Sequence, residues 1–149
     1  DGHPDKGSWY YQGKLFTGVA FQDYENGKKM GEYSYKNGKY HGLYKVWYKN
    51  GQLEQEDNYK DGQLDRICRL WHENGKKMRE VQWENGKRNG NCLEWHKNGV
   101  KKLEGFWING LKDGQWKYWY DSGKILKEYT VLLDPPTTRR THANLRTRS

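Results

Sequence analysis

The chain has 149 residues, of which 33% are hydrophobic and 31% charged, and its formal net charge is +8. This length suits one domain, and a mean hydropathy of −1.32 excludes a thick apolar core. Disorder is the usual alternative for so polar a chain, but 8 Trp, 12 Tyr and 18 Gly accompany only 3 Pro, and disordered segments are poor in aromatic residues. The composition therefore predicts a thin sheet covered by aromatic side chains.

Residues 1–10 are a short lead-in, and a repeated pattern follows them. The pattern divides into five units of 24 residues: 11–34, 35–58, 59–82, 83–106 and 107–130. Each unit opens with an aromatic ring, and these rings are Tyr11, Tyr35, Tyr59, Trp83 and Trp107. So strict a spacing indicates a stack of similar structural units, whereas a catalytic site is assembled once from scattered residues.

Two turns that contain glycine recur in every unit. The first is Gln12-Gly13, Asn37-Gly38, Asp61-Gly62, Asn85-Gly86 or Asn109-Gly110, and the second is Asn26-Gly27, Asn50-Gly51, Asn74-Gly75, Asn98-Gly99 or Ser122-Gly123. Asn-Gly and Asp-Gly tolerate the positive φ of tight hairpin turns, so each unit is predicted to contain two antiparallel strands. The predicted fold is all-β: an elongated, single-layer, open meander of five 24-residue hairpin repeats, with ten strands.

A further glycine is predicted to lie in the connection to the next strand, at Gly18, Gly42, Gly90 and Gly114. In the third unit, Arg66 takes this place. There we expect an altered loop or a strained backbone, because a long side chain disfavours positive φ.

A two-residue turn in mid-unit would fix the strand register. It places Lys45 opposite Glu56, Arg69 opposite Glu80 and Lys117 opposite Glu128, as a ladder of cross-strand ion pairs. On the same face, the Trp column, defined as Trp47, Trp71, Trp95 and Trp119, is expected opposite Glu54, Met78, Lys102 and Leu126. A bulged turn would shift this register by one residue. The other face, with Tyr44, Val46, Tyr48, Trp116, Tyr118 and Tyr120, is more apolar and is the predicted buried side.

The stretch YKNGKYHGLYKVWYKNG, residues 35–51, resembles a MORN repeat, which opens with an aromatic residue and carries three spaced glycines. The unit length and the segment WYKNGQLEQE resemble the bacterial variant of that repeat, found in proteins classed as YwqK-type antitoxins. The resemblance covers about 120 of the 149 residues. It implies a single-layer sheet that binds proteins or, in some members, phospholipid head groups, and performs no reaction. The matching residues are scaffold positions (Tyr35, Gly38, Gly42, Trp47, Tyr48 and Gly51), and the departures are Asp23, in the place of a Trp, and Arg66.

Histidines and cysteines recur in two columns, His72 with His96 and Cys68 with Cys92. Equivalent residues in consecutive units should lie about 10 Å apart, two strand spacings, and Cys68 and His72 about 13 Å apart along one strand. Both separations are too long for one zinc ion, and the first is too long for a disulfide. The sequence thus predicts no metal site, no cofactor, no catalytic residue and no enzymatic activity.

The Trp column, together with Lys45, Arg69 and Lys117, is the candidate partner-binding set, because Trp beside cations is typical of interface anchors. The alternative is that these rings only cover a thin sheet. The predicted function is a protein-binding scaffold, either an antitoxin or immunity-like protein or a subunit of a larger assembly. Binding to a phospholipid surface is the second hypothesis. Nucleic acid ranks third, because Glu interrupts the basic residues.

Residues 131–149 have lost the period and carry a net charge of +3, from Arg139, Arg140, Arg146 and Arg148 against Asp134. They are predicted to form a basic, flexible tail. No apolar run approaches the roughly 20 residues of a membrane-spanning helix. A cytoplasmic location and export after removal of a signal peptide both remain open.

Overall fold

The computed structural model describes residues 3–5, 8–132 and 146–147, and every regular element in them is a β-strand. A small N-terminal sheet contains β1 (His3–Asp5), β2 (Ser8–Tyr11) and β3 (Lys14–Leu15). The main sheet contains β4 (Gly18–Asp23), β5 (Lys29–Lys36), β6 (Lys39–Trp47), β7 (Leu53–Lys60), β8 (Gln63–Leu64), β9 (Arg66–Trp71), β10 (Lys77–Glu84), β11 (Lys87–Trp95), β12 (Lys101–Ile108), β13 (Leu111–Trp119), β14 (Ile125–Val131) and β15 (Arg146–Thr147).

The main sheet is an antiparallel meander in which sequential strands pair from β4 to β14. Strands β8 and β9 are two halves of one interrupted strand, since both pair with β7. If β8 and β9 are counted as one strand, β4 to β14 make the ten strands predicted. The predicted all-β meander of hairpins is confirmed. Strand β15 adds to β14 opposite Tyr129 and Thr130. Most of the predicted flexible tail, residues 131–149, lies outside the described residues, so that domain boundary stays a prediction.

The two turns of each unit differ in geometry. At Asn37-Gly38 both residues have positive φ, 50° and 74°, which is a type I′ turn. In mid-unit, only Gly51 has positive φ, and the Tyr48 N–H donates to the Gln52 carbonyl over 2.8 Å across a three-residue loop. Type I turns that end in a left-handed glycine produce this bulged loop. The two-residue turn predicted for mid-unit is therefore wrong.

The longer loop changes the register of the Trp column and leaves that of the ion pairs intact. Lys45 pairs with Glu56, Arg69 with Glu80 and Lys117 with Glu128, as predicted. Between Val46 and Trp47 the pairing shifts by one residue. As a result, the Trp column faces Leu53, Lys77, Lys101 and Ile125, and the predicted partners Glu54, Met78, Lys102 and Leu126 are wrong.

The third glycine of the unit is a bulge residue within a strand, and its predicted place in a connection is wrong. Gly42, Gly90 and Gly114 lie inside β6, β11 and β13, while Gly18 begins β4. The pairing of β5 with β6 skips residues beside Gly42, whose φ is 98°. Arg66 has a φ of 65° and follows the break at Asp65, so the predicted strain in the third unit is confirmed.

The first unit is offset by one residue. Tyr10 pairs with Leu15 as Tyr59 pairs with Leu64, so Tyr10, and not Tyr11, occupies the position of the opening ring.

The core lies on the face predicted to be buried, which we call the inner face; the face with the Trp column and the ion-pair ladder is the outer face. Trp116 is 1% exposed and packs with Cys92 and Val81. Its indole lies over Gly105, where an added Cβ would overlap the ring. Trp107 meets it edge-on, with ring centres 5.3 Å apart. A single layer thus buries a Trp because a glycine beneath it leaves room.

Candidate functional site

The three candidate cations on the outer face are all engaged in the charge ladder. Arg69 bridges two carboxylates, with Nη1 3.1 Å from Glu56 Oε1 and Nε 3.1 Å from Glu80 Oε2. Lys45 Nζ lies 3.3 Å from Glu56, and Lys117 Nζ lies 3.8 Å from Glu128. The Lys77 hydrogen bond, aided by Arg69, holds the pKa of Glu80 below its usual value despite partial burial. Lys45, Glu56, Arg69 and Glu80 are thus joined in one network, whereas Lys117 and Glu128 form a separate pair.

The rings of the Trp column are half-buried, and lysines cover three of them. Lys29 Nζ lies 5.0 Å from the Trp47 ring centre, and Lys77 and Lys101 stand 5.7 and 5.6 Å from Trp95 and Trp119. Each of these lysines also contacts a glutamate three residues on, at 2.8 to 2.9 Å. Trp71 is different, because Leu53 stands in the place of the lysine. Among the four rings, Trp71 therefore has an apolar neighbour at that position.

Side chains that precede the mid-unit turns join each unit to the next. The hydroxyls of Tyr24 and Tyr48 each donate to a Trp carbonyl of the following unit over 2.7 Å. His72 Nε2 and His96 Nε2 make the same contact with the carbonyls of Trp95 and Trp119, at 3.0 and 2.9 Å. The two histidines thus substitute for tyrosine as structural donors. The signal for this role was that His72 and His96 stand in a column that holds Tyr in the other units, and sequence reasoning missed it.

The cysteines and histidines form no chemical centre in the described part of the chain. No group of three or more His, Cys, Asp or Glu there could hold a metal ion. Cys68 and Cys92 are free thiols, and burial raises the pKa of Cys68 to about 12 and also raises that of Cys92. Because the thiolate is the reactive form, neither thiol is a ready nucleophile at neutral pH.

On the inner face, four aromatic rings surround Lys112. Its Nζ lies 4.2 Å from the Trp116 ring centre and donates to the hydroxyls of Tyr129 and Tyr118 over 3.0 and 3.3 Å. Trp107 completes the group, with its ring centre 5.9 Å from the ammonium. Burial alone would lower the pKa of Lys112, but the bonds to the two tyrosines raise it above its usual value. The cation that these four rings surround is therefore a side chain of the protein itself, Lys112.

The outer face also carries an apolar patch that sequence reasoning missed, defined as Phe106, Ile108 and Leu111. These side chains are 40%, 37% and 58% exposed. The signal was available in the repeat itself, since the equivalent residues of the three preceding units are polar.

Residues 16–37, 40–61 and 112–131 match the family model described as MORN repeat variant. The chain matches no curated protein. Residues 62–111, between the matched segments, also fold into antiparallel paired strands.

MORN repeats are commonly scaffolds that bind proteins or membranes, and they are generally non-enzymatic. In the described residues, no helix has the length and apolar character needed to cross a membrane. Three segments of this chain are thus similar to the MORN repeat variant, and its meander of antiparallel hairpins is consistent with that similarity.

Proposed function

We propose that this protein is a non-enzymatic scaffold that binds a protein partner on its outer face. The observation that carries the proposal is the regular lattice of Trp rings and ion pairs on that face, repeated from strand to strand. Bonds such as Tyr48 to Trp71 hold neighbouring units in a fixed relation. A partner would meet a preorganised surface and would lose little free energy in ordering it.

The proposed contacts divide between rings and charges. Trp71 and Trp95 lie at the centre of the array, where buried aromatic anchors contribute most to binding. Lys45, Arg69 and Lys117 already neutralise glutamates within the sheet, so they would select a partner by charge complementarity and would add little affinity. An acidic rim on the partner would suit these cations.

The test is a binding assay with wild-type protein and the double variant Trp71→Ala/Trp95→Ala, using partners captured from the native host. We expect the double variant to bind a specific protein partner at least about tenfold more weakly. The matched control is Tyr120→Ala, which removes an exposed ring from the inner face. Thermal unfolding would verify that each variant is folded. Equal capture by the double variant, or the absence of any specific protein partner, would contradict the proposal.

A finer proposal is that the partner is a toxin, which this protein would block in the manner of an antitoxin or immunity protein. The resemblance of WYKNGQLEQE to the bacterial variant of the repeat supports it. Co-expression with the product of each neighbouring reading frame would test it by rescue of growth. If no neighbouring product is toxic, the remaining form of the proposal is a subunit of a larger assembly.

A second candidate function is attachment to an anionic membrane surface. Exposed lysines flank the type I′ turns along one margin of the outer face, at Lys36, Lys39, Lys60 and Lys87. They add to the formal net charge of +8. Flotation with phosphatidylserine vesicles should then weaken as salt rises, because salt screens surface charges. The variant Lys36→Gln/Lys39→Gln/Lys60→Gln should lose flotation, whereas Trp71→Ala/Trp95→Ala should keep it.

A further inference from the structure

We propose that the hairpin of β12 and β13 carries an anchor site for a partner segment in which a lysine or arginine is followed by apolar side chains. The site is the apolar patch (Phe106, Ile108 and Leu111) together with Glu104. This inference rests on the proposed function as a protein-binding scaffold, and it specifies where the partner binds and what chemistry the partner carries.

The three apolar side chains form one surface. Phe106 and Ile108 are two residues apart on β12 and so share a face, and Ile108 pairs directly with Leu111 across the turn. All three are more than one-third exposed, at 40%, 37% and 58%. The patch lies beside the type I′ turn Asn109-Gly110, at one margin of the outer face.

The other units provide an internal reference for these positions. In the three preceding hairpins all three positions hold polar residues. Ser34, Asn58 and Gln82 are equivalent to Phe106. Lys36, Lys60 and Glu84 are equivalent to Ile108, and Lys39, Gln63 and Lys87 are equivalent to Leu111. The same hairpin therefore folds with polar residues at all three positions. Stability of the repeat does not require the apolar residues, and contiguous exposed apolar residues mark interaction sites.

The carboxylate next to the patch lacks a cation that its equivalents have. Glu56 contacts both Lys45 and Arg69, and Glu80 contacts both Arg69 and Lys77. Glu104 contacts Lys101 at 2.9 Å, but its cross-strand neighbour on β11 is Leu93, which stands in the place of Arg69. Its neighbour on β13 is Lys117, whose ammonium contacts Glu128 instead. Its side chain is 50% exposed, against 21% for Glu56 and 23% for Glu80. Glu104 thus has room for a cation from a partner.

A shallow cavity joins the carboxylate to the patch. It has a volume of about 240 Å³ and is lined by Asn91, Glu104, Gly105, Phe106, Gln115 and Lys117. Along a strand, alternate side chains are about 7 Å apart, so Glu104, Phe106 and Ile108 form a row about 13 Å long. An extended partner segment with a cation at one position and apolar side chains two and four residues later matches that row. The carboxylate selects the cation, and the patch supplies the contact area.

The experiment uses a phage-displayed library of random 12-residue peptides, selected against the full-length protein. The comparison variant is Phe106→Gln/Ile108→Glu/Leu111→Lys, which copies Gln82, Glu84 and Lys87 of the preceding unit and leaves the net charge unchanged. Because that unit folds with these residues, we expect the variant to stay folded, and thermal unfolding would show it. We expect selected peptides to carry Lys or Arg two residues before an aromatic or aliphatic residue. They should bind the variant at least about tenfold more weakly.

A second variant tests the carboxylate separately. Glu104→Gln should weaken the selected peptides by about three- to tenfold and remove their preference for the cation, because a charge-assisted contact is lost. Peptides that bind the triple variant as well as wild type would overturn the proposal, as would peptides whose cation can become Gln without loss. Self-association of wild type through this patch in sedimentation velocity would also overturn it, since the occupant would be a second copy. Vesicle flotation abolished by the triple variant would assign the patch to a membrane and overturn it as well.

The two proposals fail in different ways. If peptides lose affinity in Trp71→Ala/Trp95→Ala but not in the triple variant, the interface lies at the Trp column; the scaffold function then stands and this inference falls. If no protein from the host binds wild type while selected peptides still require the patch and Glu104, the scaffold function falls and the binding chemistry of the site stands.

Discussion

The hydroxyl of Tyr48 donates a hydrogen bond to the backbone carbonyl of Trp71 over 2.7 Å, across 23 residues of sequence. The Asn50 side-chain amide makes a second link of the same span, to the Glu73 carbonyl at 2.9 Å. Side chains therefore join each unit to the next in addition to the strand pairing. In repeat arrays the free energy of unfolding is approximately the sum of the stability of each unit and of the contacts between neighbouring units. These hydrogen bonds contribute to the contacts between units.

Replacing Tyr48 with Phe should lower the free energy of unfolding by about 1 kcal/mol, because the Trp71 carbonyl loses its donor. Urea denaturation followed by Trp fluorescence would measure the change. The matched control is Tyr120→Phe in the last unit, where no such bond forms among the described residues, and we expect little effect there. Equal losses in both variants would mean that the inter-unit bond does not contribute.

Arg66→Gly should stabilise the protein by about 0.5 to 1 kcal/mol. Arg66 is held at a φ of 65°, which costs a residue with a Cβ more than it costs glycine, and the gain is partly offset by the greater freedom of glycine in the unfolded chain. The control is the opposite kind of change, Gly114→Ala: Gly114 has a φ of 63°, and no neighbouring atom lies within 4 Å of an added Cβ. It should destabilise by about 1 kcal/mol. A loss of stability in Arg66→Gly would show that the Arg66 side chain contributes more than its backbone costs.

The features that depend on local chemistry and on the strict repeat period could be predicted from the sequence. Turn dipeptides such as Asn37-Gly38 defined the hairpins, and alternation along the strands identified the inner face through Trp116. The ion-pair register of Lys45 with Glu56 survived the error in the turn, because that pair lies beyond the bulge. The strain at Arg66 was also predictable from the period, because the other units carry glycine at that position.

Other features depended on details that the period conceals. Lys49-Asn50-Gly51 forms a three-residue loop, yet Asn-Gly is also typical of two-residue turns, so the partner of Trp47 was mispredicted. The role of His72 as a donor to the next unit required the three-dimensional spacing of the units. The apolar patch does not follow from the period, because its three residues replace polar residues of the preceding units.

The fit of Trp116 over Gly105 predicts strong coupling between the two positions. In the neighbouring unit the same places hold Val81 and Cys92, a large residue over a small one in the opposite order. Trp116→Cys alone should cost about 3 kcal/mol through the cavity it leaves, and Gly105→Val alone should cost about 3 kcal/mol by overlap with the indole. The double variant copies the neighbouring pair, so its loss should be about 1 to 3 kcal/mol smaller than the sum. Urea denaturation of the four proteins completes the cycle, and additive losses would contradict the fit.

Asp57 is a buried carboxyl group on the inner face, at the place that Val81 occupies one unit later. Burial raises its pKa above the usual value, although the Gln55 amide donates a hydrogen bond to it over 2.6 Å. Because the folded state holds the proton more tightly than the unfolded state, this group reduces stability as the pH rises above the unfolded value of about 3.9. The reduction is complete once the pH exceeds the raised pKa of the folded state.

Asp57→Val should therefore increase the free energy of unfolding at pH 7 by about 1 kcal/mol, since it removes a buried charge and fits a site that accepts Val81 in the next unit. The gain should shrink as the pH is lowered from 7 towards the unfolded value of about 3.9, because protonation of Asp57 makes its burial less costly. Urea denaturation across that range would measure it. Asp57→Asn is the control: it removes the charge, keeps the shape, and should show a smaller gain with the same pH dependence. A gain that is equal at both ends of the range would place its origin in packing and would contradict a cost from the buried charge.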